Sequence, residues 1–355
     1  MAARRACATV RVRALAKINL TLRVLGVRSD GYHELRTTFQ SIALHDTLTC
    51  RTRPGDFRIA CDDPACPTGE TNLVWRAAAR VWAAAGRRGT PRDAEVRLAK
   101  RVPVQAGLGG GSSNAAAAIR ALAALWAVDL TAHRVRAIAA ALGADVPFFL
   151  EGGTVLGAER GDRLYPLIDA PAAWVTLIVP SFGVSTREAF GWWDDQQRRR
   201  SRQPARAPAR RVRPFDELRG VPSHVEARGV GDRGGGPARR GRDEGGAVAT
   251  MPLPEENDLE APVAAHHPEI SRLVSALRRR RASHAAMSGS GSAVFGLFDR
   301  RADALAAAQA LAGSGRRIVV TRTVSRPRYQ VLTALAAQTA HRIHLPFAPR
   351  GSGHS

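Results

Sequence analysis

A glycine-rich stretch between a strand pattern and a strong helix pattern constrains the fold of this chain more than any other feature. Residues 103–114 read PVQAGLGGGSSN, and the alanine-rich run AAAAIRALAALWAV follows at once. Glycines allow several backbone N–H groups to converge on one ligand without Cβ clashes. Ser112, Ser113 and Asn114 can cap the helix, whose N-terminus attracts anions. The stretch therefore predicts a phosphate-binding loop rather than a flexible connection, which would not need three successive glycines.

A second constraint is the strand pattern of residues 9–25, in which apolar and polar residues alternate. Successive residues of a strand point to opposite faces, so Lys17 and Asn19, two residues apart, share the polar face. This pair fits a polar ligand site, and it fits a solvated strand surface equally well. Lys17 and Lys100 are the only lysines among 53 basic residues. Because so arginine-rich a chain keeps lysine mainly where a compact ammonium is needed, we expect both to have a function.

An acidic residue follows the end of a predicted helix in the middle of the chain. Helical residues 133–142 end at Gly143, and Asp145 comes just before Pro147 and an apolar run that is predicted to enter a strand. A carboxylate at such a junction fits a general base, a metal ligand or a helix-end cap. Further on, residues 287–293 (MSGSGSA) form a second glycine/serine loop, which we expect to approach a ligand or the first loop closely.

Composition limits the class of protein. Hydrophobic residues make up 45% and charged residues 24% of the chain, which is typical of a soluble globular protein and excludes a disordered or collagenous one. No apolar run reaches about 18 residues, so no membrane span is expected. The four cysteines are too few for a secreted disulfide scaffold. We expect reduced cytoplasmic thiols, with metal ligation by Cys61 and Cys66 as the alternative.

Charge is distributed unevenly along the chain. Basic residues outnumber acidic ones by 22, and residues 196–250 carry a net +8 of this excess, from 14 arginines and 6 acidic residues. These residues contain too little apolar surface to fold, so 196–250 is predicted to be a flexible insertion, and 326–355 a flexible tail. An arginine-rich insertion can also attract RNA. Nucleic-acid binding is therefore the alternative function from a class other than enzymes.

Six motifs occur together in an order that is typical of one protein family. They are AKINL at residues 16–20, DGYHEL at 30–35, the glycine loop at 103–114, LGADVPF at 142–148, NDLE at 257–260 and SGSG at 288–291. With these motifs the chain closely resembles the GHMP kinase superfamily and, within it, the 4-diphosphocytidyl-2-C-methyl-D-erythritol kinases. The resemblance covers about residues 9–325 without the insertion.

The resemblance implies an α+β, two-lobed GHMP kinase fold. A lobe like ribosomal protein S5 domain 2 would cover residues 9–165, and a ferredoxin-like lobe residues 166–325, interrupted by the insertion. The implied reaction moves the γ-phosphoryl of ATP to the 2-hydroxyl of 4-diphosphocytidyl-2-C-methyl-D-erythritol, in the non-mevalonate route to isoprenoids. Mg²⁺ would accompany ATP, and the sequence assigns it no protein ligands. We expect a cytoplasmic monomer or homodimer with a small cytidyl substrate and no membrane partner.

The resemblance also implies which residues act on ATP and on the acceptor hydroxyl. Asp145 would accept the hydroxyl proton, while Lys17 beside it would keep that carboxylate ionised and stabilise the developing charge. Asn19 would help to fix the acceptor. The remaining implied residues would bind ATP: Lys100, Pro103, Val104, Gln105, Ala106, Gly107, Leu108, Gly109, Gly110, Gly111, Ser112 and Ser113. An exposed strand-end charge is the alternative for Lys100.

The cytidyl end of the substrate would be recognised by three side chains. Tyr32 and Phe190 would sandwich the cytosine ring, and His33 would form a hydrogen bond with its edge. A relative that phosphorylates another alcohol, such as homoserine or mevalonate, is the alternative enzyme. The predicted pocket for a base at Tyr32 and His33 argues against that alternative.

Overall fold

The computed structural model describes residues 9–202 and 256–338, and two β-sheets form the centre of this part of the chain. In chain order the strands are β1 (Thr9–Val27), β2 (His33–Asp56), β3 (Arg58–Cys61), β4 (Arg92–Ala99), β5 (Thr154–Glu159), β6 (Arg163–Pro166), β7 (Trp174–Pro180), β8 (His284–Met287), β9 (Val294–Phe298), β10 (Arg316–Arg322) and β11 (Ala336–Gln338). The helices are α1 (Leu73–Ala84), α2 (Gly110–Leu125), α3 (Ala132–Leu142), α4 (Phe148–Glu151), α5 (Thr186–Arg202), α6 (Glu260–His266), α7 (Glu269–Arg279), α8 (Arg301–Ala310) and α9 (Arg326–Leu332).

The first sheet is built around the long antiparallel hairpin of β1 and β2. Its strand order is β11-β1-β2-β4-β3, and β5 and β6 continue it from the first half of β2. Helices α1, α2 and α3 pack with this sheet around an apolar core that includes Val96, Ile119 and Phe148. These elements form the N-terminal lobe.

Strand β1 is one long strand whose centre is buried on both faces. Register shifts interrupt its pairing with β2 after Leu15, Asn19 and Val24. Such bulges bend a strand and re-aim its side chains, and they are frequent beside active sites. On the apolar face, Ile18 belongs to the same buried cluster as Leu177 of β7. Strand β1 therefore connects the two sheets, and its polar face is not a solvated surface.

The second sheet has the strand order β10-β7-β9-β8, and all its pairs are antiparallel. Helices α7 and α8 pack against it, around a core that includes Leu273 and Phe298. Along the chain the elements follow as β7, helices α5, α6 and α7, β8, β9, α8 and β10. With the strand order given above, this is the expected ferredoxin-like arrangement. None of the helices in the described part of the chain has the length and apolar character needed to cross a membrane.

The region after Asp145 differs from its predicted structure. Pro147 was expected to lead into a strand, but it has helical backbone angles (φ −57°, ψ −35°) and starts the short helix α4. Proline is well suited to the first turn of a helix, because the N–H it lacks would have no intrahelical partner there. The strand begins only at Thr154, after Gly152 and Gly153 reverse the chain with positive φ angles of 69° and 76°.

The prediction of a flexible tail from residue 326 is wrong as far as residue 338. Helix α9 and strand β11 are part of the N-terminal lobe, and β11 pairs with the start of β1. Tyr329 is buried, and its hydroxyl donates a hydrogen bond to the carbonyl of Phe149 at 2.8 Å. Helix α5 likewise continues to Arg202, past the predicted start of the insertion at 196. The rest of the insertion and the end of the tail lie outside the described residues.

The glycine loop enters α2 through Gly109, whose φ of +69° is in the left-handed region. The prediction that Ser112, Ser113 and Asn114 cap the helix is wrong. All three lie inside its first turns, Gly109 is the N-cap, and no side chain caps this end. The Ser113 hydroxyl instead donates to the carbonyl of Leu15 at 2.7 Å, which attaches α2 to β1.

A comparison of two glycine substitutions tests this geometry. A Cβ at Gly109 would lie 2.6 Å from Phe149 Cζ and 3.2 Å from Lys17 Cγ, and the residue would keep a strained φ. We expect Gly109→Ala to lower the free energy of unfolding by more than about 2 kcal/mol. At Gly111 the nearest side-chain atom would be 3.8 Å away, so Gly111→Ala should leave stability unchanged or slightly raised. Thermal unfolding of both variants measures the difference, and equal midpoints would contradict this loop conformation.

Candidate active site

An ion pair between residues far apart in the sequence marks the site. Lys17, in the buried centre of β1, has only 3% of its surface exposed, and its Nζ lies 3.6 Å from Asp145 Oδ2. Asp145 lies in the turn between α3 and α4 and keeps 37% of its side chain exposed. One partner is therefore fixed in the interior, while the other faces an accessible space.

Burial and charge act in opposite directions on Lys17. Its loss of contact with water is the larger effect and lowers the pKa of the ammonium below its ordinary value of 10.5. The neighbouring Asp145 carboxylate opposes this shift by charge and hydrogen bonding. The ring of Phe39 lies below the ammonium, with its centroid 5.5 Å from Nζ. The site therefore holds a cation that is poorly hydrated and responsive to nearby negative charge.

Asn19 is engaged within the protein at both polar ends. Its Oδ1 accepts a hydrogen bond from Lys17 Nζ, and its Nδ2 donates to Thr37 Oγ1 at 2.7 Å. The Thr37 hydroxyl then donates to the carbonyl of Thr21 at 2.8 Å. This chain of bonds determines the orientation of the Asn19 amide. In this arrangement Asn19 holds the ammonium of Lys17 in place, and its help in fixing the acceptor stays a prediction.

The glycine loop lies directly beside Lys17. The Lys17 backbone N–H donates to the Leu108 carbonyl at 3.1 Å, which fixes the loop against β1. The first backbone hydrogen bond of α2 runs from Ser113 N to the Gly109 carbonyl at 2.9 Å. The N–H groups of Gly110, Gly111 and Ser112 therefore have no acceptor inside the helix and can bind an anion.

The residues predicted to bind ATP have unequal side-chain exposure in the structure. Ala106, Leu108 and Ser113 are buried, so their side chains do not face a ligand. Val104 is 41% exposed at the start of the loop. The loop therefore offers a ligand mainly backbone groups rather than side chains.

The second glycine/serine loop packs against the first. Ser288 Oγ donates to the Gly107 carbonyl at 3.0 Å and accepts from the Asn19 N–H at 3.3 Å. A Cβ at Gly107 would collide with the Ser288 carbonyl, and a Cβ at Gly289 would lie 3.2 Å from Lys17 Nζ. Both loops need glycine because their backbones meet each other and the lysine at van der Waals distance.

Asn257 holds the second loop, a role that the sequence did not reveal. Its Nδ2 donates to the carbonyls of Met287 and Gly289 at 2.8 and 2.9 Å. Next to it, the Asp258 carboxylate accepts from the Val24 N–H at 2.8 Å. The NDLE motif thus attaches the loop to the far end of β1. The motif itself was recognisable in the sequence, but the backbone groups that its side chains bind were not.

Lys100 is not an exposed strand-end charge, because only 5% of its side chain is accessible. Its ammonium pairs with Asp46, which is fully buried and also accepts from the N–H groups of Arg101 and Val102 at 2.6 and 2.8 Å. A Cβ at Gly110 would lie 3.3 Å from Lys100 Nζ. The lysine thus adds positive charge at the start of α2, and Asp46, which was not predicted, holds it there.

The predicted base pocket is arranged differently from expectation. Phe190 of α5 stacks directly on His33, with ring centroids 4.4 Å apart, rather than opposite Tyr32. Tyr32 is 58% exposed, and the guanidinium of Arg160 lies 5.1 Å from its ring centre. Trp193 also contacts His33 edge-on, at 5.6 Å between centroids. The three predicted residues lie near one end of the β1–β2 hairpin, but they do not form the simple sandwich.

The cysteines of the described chain are free thiols: Cys50, Cys61 and Cys66. Burial, together with a hydrogen bond to Cys61, raises the pKa of Cys66 to about 12, so it is protonated at neutral pH. Within residues 9–202 and 256–338 no group of three or more His, Cys, Asp or Glu residues could hold a metal ion. The structure therefore gives Cys61 and Cys66 no further ligand to complete a metal site.

Comparison with known proteins now identifies the family. Residues 72–153 match the model of the GHMP kinases N terminal domain, and residues 246–317 match that of the GHMP kinases C terminal. The 4-diphosphocytidyl-2-C-methyl-D-erythritol kinase of Moorella thermoacetica is 40% identical over 312 residues, which cover 88% of this chain and 98% of the relative. The enzyme of the same name from Gloeobacter violaceus is 38% identical, over 89% of this chain and 94% of the relative.

A solved structure supports the same assignment. The crystal structure of a 4-(cytidine 5'-diphospho)-2C-methyl-D-erythritol kinase matches with a TM-score of 0.62 and 30% identity, over 88% of this chain and 98% of that one. Fold, motifs and relatives agree along the two lobes. The chain therefore belongs to the 4-diphosphocytidyl-2-C-methyl-D-erythritol kinase family of GHMP kinases.

Proposed function

We propose that this chain transfers the γ-phosphoryl group of ATP to the 2-hydroxyl of 4-diphosphocytidyl-2-C-methyl-D-erythritol, a step of the non-mevalonate route to isoprenoids. The observation that carries the proposal is the Lys17–Asp145 ion pair beside the glycine loop. Phosphoryl transfer needs an acceptor freed of its proton, a phosphate held in line and positive charge at the transferred group. The site provides a group for each of these tasks.

Asp145 is the proton acceptor in this mechanism. Its carboxylate is accessible, so the substrate hydroxyl can donate its proton to it as the oxygen forms a bond to the γ-phosphorus. The bond between that phosphorus and the bridging oxygen of ATP breaks, and ADP leaves. Lys17, held by Asn19, stabilises the negative charge that develops on the acceptor and on the transferred group.

The glycine loop holds the phosphates of ATP. The free N–H groups at the start of α2 donate to phosphate oxygens, and the Lys100 ammonium adds charge at the same helix end. Mg²⁺ is expected to accompany ATP and to be bound mainly by its phosphate oxygens, because this ion commonly keeps few protein ligands. It would neutralise charge on the phosphates, and none of the steps above depends on its position.

The cytidyl group lies at the turn end of the β1–β2 hairpin in this proposal. His33, Thr37 and Phe39 are separated by even numbers of residues on β2, so they share one face of the strand. Thr37 and Phe39 contact the Asn19–Lys17 pair, while His33 contacts Phe190. An elongated substrate that runs along the hairpin can place its base near Tyr32, His33 and Phe190 and its alcohol near Asp145.

A phosphotransfer assay with three alcohols tests the function directly. Purified protein with ATP and Mg²⁺ is given the cytidyl alcohol, homoserine or mevalonate, and ADP release is measured. We expect turnover of the cytidyl alcohol alone, because only it has a base for the aromatic pocket. Turnover restricted to an alcohol without cytosine would overturn the proposal. Nucleic-acid binding through residues 196–250 concerns a segment of which residues 203–250 lie outside the described part of the chain.

Asp145→Asn should separate chemistry from ATP binding. The amide keeps the size of the side chain but cannot accept the proton, so we expect kcat to fall by about 10²–10⁴-fold. ATP affinity, measured by calorimetry, should change little because the glycine loop is untouched. Asp129→Asn, at an exposed site beyond the opposite end of α2, is the matched control and should behave like the wild type. Near-normal turnover of Asp145→Asn would remove Asp145 from the role of base.

The pH dependence of turnover tests the charge of Lys17. Because burial lowers its pKa, the ammonium should lose its proton as pH rises, at a pH below 10.5, and kcat should fall with it. In Lys17→Arg the guanidinium stays charged, so this alkaline decrease should disappear. Its turnover should nevertheless be low at every pH, since the wide head group does not fit between Gly109 and Gly289. Arg97→Lys, at an exposed position of β4, is the control, and full activity of Lys17→Arg would contradict the mechanism.

A further inference from the structure

One face of helix α5 is directed at His33. Trp193 and Asp194 follow Phe190 by three and four residues, so all three side chains lie on the same side of the helix. Phe190 stacks on the imidazole, Trp193 meets its edge, and Asp194 Oδ1 lies 3.0 Å from His33 Nε2. Only 13% of the His33 side chain remains exposed. The imidazole is therefore held in one orientation by two rings and one carboxylate.

The carboxylate determines which ring nitrogen carries the proton. An ionised aspartate has acceptor oxygens only, so Nε2 must be the donor in this contact. In a neutral imidazole the other nitrogen, Nδ1, is then an acceptor. Within residues 9–202 and 256–338 no polar side-chain or backbone partner of Nδ1 is found. His33 thus offers a single unused acceptor at the end of the hairpin.

An unused acceptor distinguishes two kinds of pyrimidine. A 4-aminopyrimidine, such as cytosine, presents N–H donors at its exocyclic position, whereas a 4-oxopyrimidine, such as uracil, presents an acceptor there. Two facing acceptors repel, and each loses its hydrogen bond to water without replacement. The state of the imidazole therefore selects between bases of almost equal size and shape.

We propose that Asp194 is the specificity-determining residue of this site: by holding His33 with its proton on Nε2, it keeps Nδ1 an acceptor and selects a 4-amino over a 4-oxo pyrimidine. The proposal rests on the proposed function, because it assumes that a pyrimidine binds beside His33. Asp194 touches no reacting atom and acts only through the imidazole, so it is a positioning residue.

The test reverses the hydrogen-bond direction at Nε2. Asp194→Lys replaces the acceptor by a donor, which requires Nε2 to accept and moves the proton to Nδ1. Binding of CDP and of UDP is measured by calorimetry at pH 8.5. The wild type should prefer CDP, and the CDP/UDP affinity ratio should fall by about 100-fold in Asp194→Lys, toward UDP. A ratio within about threefold of the wild type would overturn the proposal.

Two matched variants separate this effect from charge and from packing. Asp195→Lys makes the same charge change at the neighbouring exposed position and should keep the wild-type ratio. Asp194→Asn retains an oxygen that can accept from Nε2, so it should keep the ratio within about fivefold. If Asp194 only stabilised α5, its variants would weaken both ligands equally and leave the ratio unchanged, which also overturns the proposal.

The outcomes distinguish this inference from the proposed function. If the wild type turns over the cytidyl alcohol but Asp194→Lys leaves the CDP/UDP affinity ratio unchanged, the inference about Asp194 is rejected and the proposed function stands. Absence of binding of both nucleotides, with turnover of an alcohol that lacks a base, would reject both. ¹⁵N NMR of the imidazoles, with the His33 resonances assigned by loss in His33→Asn, should show a protonated Nε2 in the wild type and a protonated Nδ1 in Asp194→Lys.

Discussion

The buried ammonium of Lys17 is the interaction on which the organisation of the site depends. Removing a cation from water costs several kcal/mol unless nearby groups replace the lost hydration. Here Asp145, Asn19 and the ring of Phe39 replace it, and they come from a helix junction and two strands. The two glycine loops both approach the Lys17 side chain, at Cγ and at Nζ, because Gly109 and Gly289 have no Cβ there. A buried cation and a helix N-terminus with free N–H groups are thereby held side by side.

Local patterns in the sequence predicted the elements that supply this arrangement. Alternation identified β1 and put Lys17 and Asn19 on one face, and the glycines followed by alanines identified the loop and α2. These predictions succeed because strand alternation and glycine backbone freedom act within a few residues. The rarity of lysine pointed to Lys17 and Lys100, and both have buried, paired ammonium groups in the structure.

The features that the sequence could not predict depend on contacts between residues that are far apart in the chain. Asp46 holds the turn at 100–102, Asn257 holds the second loop, and Asp194 holds His33, and each resembles an ordinary surface residue in the printed chain. Helix α9 lies in the segment predicted to be a flexible tail. Its structure depends on the burial of Tyr329 against another segment and not on a helical pattern of its own. The bulges of β1 are equally invisible, since they are defined only by pairing with β2.

The centre and the turn end of the β1–β2 hairpin differ in the kind of group that surrounds them. Around Lys17, in the centre of β1, the contacts come largely from backbone, namely the N–H groups of α2 and the two glycine loops, so changes there disturb the fold itself. Around His33, at the turn end of the hairpin, the contacts to the imidazole come from side chains of one helix, α5. Side chains on one face of α5 can change without a change in the backbone around Lys17. A kinase of this fold can therefore keep the arrangement of its glycine loops while the side chains around His33 vary.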